Sequence, residues 1–158
     1  MSERLLLRLE LEELNAAYAA ALDEDALEQW PELFVADATY RIVPRDDFER
    51  GLPLAVMHCE SRAMLEDRVA ALRRASVYAP RALRHLISGV RMQRIDGAVI
   101  HAAASYAVLQ TLPEELTTVF SAGRYLDEVV REDGVLKFRS RIVVFDSVLV
   151  PGSLVYPL

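Results

Sequence analysis

The sequence predicts an α+β fold in which N-terminal helices pack on one face of a long, curled, mainly antiparallel sheet. Three observations predict it. Apolar residues recur at helical spacing in the first half. Four long alternating segments, Leu83–Ile95, Val99–Thr111, Thr117–Arg131 and Val135–Val150, fill the second half. The turns between them are short: Asp96-Gly97, Leu112-Pro113-Glu114-Glu115 and Asp133-Gly134. Asp-Gly between alternating runs is a strong hairpin signal, because both central residues of a type I′ turn need positive φ.

The elements follow in chain order. From Ser2 to about Leu22 a helix is expected, since Leu7, Leu11, Leu14, Tyr18 and Ala21 form one stripe. Asp23-Glu24-Asp25 interrupts it, and Asp25 is a candidate cap for a shorter helix reaching Phe34. Leu27, Trp30, Leu33 and Phe34 are that helix's inner side, and Pro31 weakens its middle. Ala38–Val43 alternates and reads as a strand; charged Pro44–Pro53 reads as an exposed loop. Ser61–Ala75 is the third helix, with Met64, Leu65, Val69 and Leu72 inward. Its acids Glu66 and Asp67 precede Arg73 and Arg74, as the helix dipole favours. The four-strand meander begins after Pro80.

Helices first and strands later imply helices on one face of an antiparallel sheet. Strands of roughly 13 residues exceed the usual five or six and twist strongly. A curled sheet closed by helices makes a cone, the shape of cystatin-like folds such as nuclear transport factor 2. One such domain, spanning residues 1–158, is expected from the length.

Composition narrows the function. The chain has 158 residues, 53% of them apolar, and a net charge of −6 from 24 acidic and 18 basic side chains. Such a balance disfavours a nucleic-acid partner. No apolar run approaches the ~20 residues that span a bilayer. The charged start and the single cysteine, Cys59, fit a cytoplasmic protein. One cysteine excludes a Rieske cluster within this chain, which needs two Cys and two His. His58, His85 and His101 are too scattered to suggest an iron triad. Neighbours in sequence point apart, so His58-Cys59-Glu60 does not make a thiol nucleophile with its base. A cone still has room for acid–base work: Tyr18, Tyr40, Asp37 and His85 are the candidate lining residues, with His85 and Asp37 as the pair.

Several segments together resemble a known family. They are Tyr18 with Leu22-Asp23-Glu24, Trp30-Pro31-Glu32-Leu33-Phe34, Ala38-Thr39-Tyr40, Leu65 through Arg68-Val69, and Pro80 followed by Arg84-His85-Leu86-Ile87-Ser88. Ala122-Gly123-Arg124-Tyr125-Leu126-Asp127 is the most specific; Asp133-Gly134, Lys137-Phe138, Arg141 and Pro157-Leu158 complete the series. Their order and spacing resemble the small (beta) subunit of bacterial aromatic-ring-hydroxylating dioxygenases. One departure is Gly89, where the family pattern carries asparagine.

The resemblance implies a cofactor-free, non-catalytic subunit of cystatin-like fold. Its partner would be a large alpha subunit holding a Rieske [2Fe–2S] cluster and a mononuclear Fe(II), in an alpha3beta3 assembly built on a beta trimer. The holoenzyme takes electrons from a reductase, sometimes through a ferredoxin, and adds O₂ to an arene. Arg84, His85, Gly123, Arg124, Tyr125, Asp127 and Arg141 then carry structural or assembly roles. Three positions apart on a strand means opposite faces, so Arg124 is expected to bond elsewhere than to Asp127.

Two further readings compete. One is a stand-alone dehydratase, isomerase or cyclase of the same fold, and the other a small-ligand-binding homo-oligomer. The second meander strand is apolar on both faces: Val99, Ala103, Ala107 and Leu109 on one, and Ile100, Ala102, Ala104, Tyr106 and Val108 on the other. Helices can cover only one, which favours assembly. Val143-Val144-Phe145 extends the same property to the last strand, where an open edge is expected.

Overall fold

The computed structural model describes residues 1–75, 81–147 and 156–158. Pro80 and the end of the last expected strand, residues 148–150, lie outside the described residues. Helix α1 (Glu3–Asp23) starts at Ser2, whose side chain accepts the Leu5 N–H. Leu11, Leu14, Asn15, Tyr18, Ala21 and Leu22 are its buried side, as helical spacing requires. The expected second helix is two single 3₁₀ turns, Leu27–Gln29 and Pro31–Leu33. Asp25 does not cap it, because it takes a left-handed φ of 57°. Trp30 and Phe34 are nonetheless fully buried.

Strand β1 spans Phe34–Pro44, longer than its alternation suggested. The expected loop contains a short helix, α2 (Arg45–Glu49), before β2 (Met57–Cys59). Helix α3 (Arg62–Arg74) begins after Ser61, whose hydroxyl takes the Met64 N–H at 3.2 Å. Leu65, Val69 and Leu72 are buried, but Met64 is exposed and its sulfur receives the Glu60 N–H. At the other end Arg73 reaches Asp25 and Glu28 at 2.8 Å, tying α3 to the first 3₁₀ turn.

The meander follows as β3 (Ala82–Asp96), β4 (Val99–Thr111), β5 (Thr118–Glu132) and β6 (Val135–Phe145). The six strands run in the order β2-β1-β6-β5-β4-β3, so the sheet stays open with β2 and β3 at its edges. All pairings are antiparallel except β1 with β6. Helix α1 lies against β3 and β6, and α3 against β1.

Two expectations are corrected here. The last strand is no edge: β6 sits between β1 and β5. Val143, Val144 and Phe145 are all buried within the chain. Val144 is paired with Arg124, whose guanidinium lies 5.4 Å over the Phe48 ring of α2. The first hairpin turn is also displaced by one residue. Asp96 pairs with Val99, leaving Gly97-Ala98 as the loop. Asp133-Gly134 does form the loop of its hairpin, with φ of 52° and 81°.

Glycines mark two constrained places. Gly89 takes φ of 63° where the β3–β4 register shifts, and asparagine is the other residue that tolerates this region. Substitution of one by the other at this position therefore has a steric basis. Gly123 has an ordinary φ, but a Cβ there would collide with the Val144 carbonyl oxygen and lie 2.9 Å from the Phe145 Cα. Backbone cannot yield as a flexible side chain does. Gly123→Ala is expected to destabilise the fold by about 2 kcal/mol or more through overpacking; urea unfolding of the two chains measures it.

Candidate functional site

The register of the sheet builds one inward-facing row. Met92, Ala102, Asp127, Arg141, Tyr40 and Cys59 are successive cross-strand partners from β3 to β2. Asp127 and Arg141 are therefore direct neighbours. Arg141 Nε and Nη2 each donate to an Asp127 carboxylate oxygen at 2.8 Å. Nη2 also donates to Asn15 Oδ1 of α1 at 2.5 Å. Asn15 in turn donates its Nδ2 to the Leu11 carbonyl at 2.9 Å, which fixes its amide.

The guanidinium is wholly buried and walled by rings. Its carbon lies 3.9 Å from the Tyr125 ring centroid, 4.1 Å from Phe138 and 4.4 Å from Tyr18. Aromatic faces attract a cation that water no longer solvates. Burial opposes the Arg141 charge, but Asp127 and the ring hydroxyls outweigh it and hold the group protonated. Burial likewise pushes the Asp127 carboxyl above its usual range, while Arg141 pulls against that shift. Arg141 Nη1 and the Tyr125 hydroxyl find no hydrogen-bond partner among the described residues.

Two tyrosines meet at this row, Tyr40 from the row itself and Tyr18 from α1. Tyr18 and Tyr40 are fully buried, with hydroxyls 3.1 Å apart. Both donate to the backbone oxygen of Leu158, Tyr40 at 3.0 Å. The Leu158 N–H returns to the Tyr40 hydroxyl at 3.1 Å. Burial raises the pKa of both phenols, so they remain hydrogen-bond donors. His85 stands beside Tyr18, ring centroids 6.3 Å apart. Its Nδ1–H donates to Asp23 Oδ1 at 2.6 Å and its backbone N–H to Asp23 Oδ2 at 2.8 Å.

Of the residues proposed to line the cone, Tyr18, Tyr40 and His85 do come together. Asp37 does not: it is exposed on β1, before the register resumes at Thr39. The carboxylate on His85 is Asp23, which the sequence marked as a helix breaker and as part of the family segment Leu22-Asp23-Glu24, but not as a partner of His85. Its position one residue past the buried Leu22 was the available signal. Asn15 and Leu158 were also missed as contacts. Arg84 is exposed, as is Arg124, whose partner is the Phe48 ring rather than Asp127. Cys59 is buried while His58 beside it is exposed, the alternation of β2 turning them apart.

The His85 side chain is 0% exposed, so its Nε2, which lacks a partner among the described residues, is closed to solvent. A general base must come within hydrogen-bond reach of the proton it takes. The polar groups of this site are buried and mostly paired with one another. Among the described residues no group of three or more His, Cys, Asp or Glu side chains is placed to hold a metal ion.

Removing one partner of a buried pair leaves an uncompensated charge. Asp127→Ala is therefore expected to cost about 3–5 kcal/mol of unfolding free energy. Asp127→Leu with Arg141→Met should cost less than the two single substitutions added together, because no charge remains buried. A double-mutant cycle by urea unfolding measures both.

Comparison with known proteins places this architecture. The SnoaL-like domain model matches residues 3–142. The anthranilate 1,2-dioxygenase small subunit of Burkholderia cepacia is 35% identical over 158 residues, covering 100% of this chain and 98% of the relative. Subunit beta 1 of the terephthalate 1,2-dioxygenase terminal oxygenase component of a Comamonas species is 35% identical over 150 residues, 95% of this chain and 97% of the relative. Among solved structures, one described as the beta subunit of an aromatic-ring-hydroxylating dioxygenase of Novosphingobium aromaticivorans superposes with a TM-score of 0.88. It is 38% identical and covers 96% of each chain. The long open sheet, the N-terminal helix against it and the end-to-end similarity agree: the chain belongs to the SnoaL-like family and, within it, to the small (beta) subunits of aromatic-ring-hydroxylating dioxygenases.

Proposed function

We propose that this chain is the non-catalytic small subunit of a cytoplasmic aromatic-ring-hydroxylating dioxygenase, supporting assembly with a large alpha subunit. The observation that carries the reading is similarity at 35% identity, over nearly the whole length of both partners, to small subunits of two dioxygenases named for different aromatic substrates. The holoenzyme is an oxidoreductase that uses O₂ and NAD(P)H, fed by a reductase with or without a ferredoxin. Its Rieske cluster and mononuclear Fe(II) belong to the alpha subunit. This chain's donor set does not fit them: its one cysteine is buried, and His85 is committed to Asp23.

The outer sheet face supplies a surface for assembly. Leu86 of β3 pairs with Ala107 of β4, which pairs with Ala122 of β5; beside them Leu109 pairs with Val119. Directly paired residues share a face, so these side chains form one apolar patch. Leu86 is 49% exposed and Val119 67%. Exposed Arg84 and Arg124 flank it. In this reading the patch contacts a second beta subunit or the alpha subunit within an alpha3beta3 oligomer, and Arg124 serves assembly rather than chemistry.

Co-expression with a large alpha subunit should yield a single complex by sedimentation, with the small chain alone a trimer. Leu86→Asp should leave the chain folded and weaken assembly by about 2 kcal/mol or more, the size of an interface hot spot. Arg124→Ala should lower assembly before turnover per assembled complex changes. A monomer indifferent to the large subunit overturns the assignment.

A further inference from the structure

We propose that the outer-face patch receives a second copy of this chain, which docks there through its own apolar loop, residues 51–56. The inference rests on the assembly reading and names the contact that builds the trimer. The loop is Gly51-Leu52-Pro53-Leu54-Ala55-Val56, without a polar side chain. Leu52, Leu54 and Val56 are 42%, 58% and 40% exposed. An exposed apolar run of this length is a fault in a surface unless it has a function.

Both ends of the loop are pinned. The Leu52 N–H donates to the Asp47 carbonyl and the Val56 N–H to the Ile42 carbonyl, each at 2.9 Å. Pro53 fixes a further dihedral between them. A segment already held in place loses little freedom on binding, so the loop presents its leucines at small entropic cost.

The receiving surface lies on β3, β4 and β5. Arg84, Leu109 and Val119 are successive cross-strand partners, and Leu86 is two residues from Arg84 on the same face. Loop and patch both stay exposed in one molecule, so the loop does not fill its own patch. It leads into β2 at one edge of the sheet, whereas β3 is the other edge. Contact between two such unlike surfaces is head-to-tail, and it forms a ring when the rotation closes. Three copies make the ring that the assembly reading requires.

Charge selects the same partner. Asp46 and Asp47 of α2 precede the loop, and neither side chain has a partner among the described residues. Arg45 is taken by Glu49 and Asp146. Arg84 is exposed and likewise has no partner among the described residues. Acids beside the apolar loop thus complement a cation beside the apolar patch, which fixes how one copy sits on the next. In this docking Leu54 lies against Leu86 and Val119 of the next copy, and the two aspartates face its Arg84.

The experiment is sedimentation equilibrium of the small chain, alone and co-expressed with a large alpha subunit, with circular dichroism to check folding. Leu54→Asp should weaken the trimer about tenfold or more, as loss of an interface anchor does. Arg84→Asp should do the same, and so should Asp46→Arg with Asp47→Arg, because each sets like charges face to face. All three reversals in one chain exchange the signs on both sides and should restore the trimer. Should Leu54→Asp fail to fold, the charge reversals decide alone. A trimer indifferent to either reversal, or a combined variant that does not recover, overturns this contact and leaves the subunit assignment standing. An unaltered chain that never trimerises overturns this contact and the beta-trimer reading together.

Discussion

The structure depends on one constraint: a guanidinium fully removed from water must have its charge compensated by the groups around it. Arg141 meets it with two hydrogen bonds to Asp127, one to Asn15 and three aromatic rings. Two parallel bonds of the same length are the geometry that guanidinium and carboxylate share, and lysine could not reproduce it. A buried pair is weak evidence for stability in itself, because desolvation offsets attraction. It does impose specificity. Arg141 must face Asp127 across β5 and β6, and α1 must dock with Asn15 above them, so the pair ties sheet register to helix position.

The neighbouring side chains follow from that demand. Ala102 continues the row beyond Asp127, and Ala104 faces Tyr125 on the next. These small residues on β4 leave space for large groups on β5 and β6. Tyr125 stacks on Tyr106 at 4.7 Å and 14°, while Tyr106 bonds Ser121 at 3.0 Å. Polar groups inside the cone are thus mostly committed to one another. This scaffold encloses an ion pair, a tyrosine pair and Leu158.

In the proposed reading, function lies on the surface and not in this interior. His85 has a carboxylate partner, yet its ring is sealed by its neighbours. Meanwhile the outer face carries exposed apolar side chains, with Leu86 and Val119 prominent among them. A packed interior with an uncovered outer patch suits a subunit, whose work is to present a stable face to another protein.

Much of the fold was legible because it is local. Period-two alternation and Asp133-Gly134 defined the strands, and Ser2 and Ser61 capped helices where the spacing began. Ordered short motifs carried the family. The sequence could also mark Tyr18, Tyr40, His85, Asp127 and Arg141 as notable. It could not pair them. Counting back from the Asp133-Gly134 turn sets Asp127 opposite Ser140; a bulge between Glu128 and Val129 shifts the register by one and brings Arg141 there instead. A one-residue shift moves every side chain of a strand to the other face. Likewise Asp23, Asn15 and Leu158 lie far along the chain from the groups they contact, and Asp37 sits in an irregular stretch that points it outward. Local pattern therefore determined which segments are helix or strand, and only tertiary register, set by bulges and by burial of one charge, decided which polar groups meet.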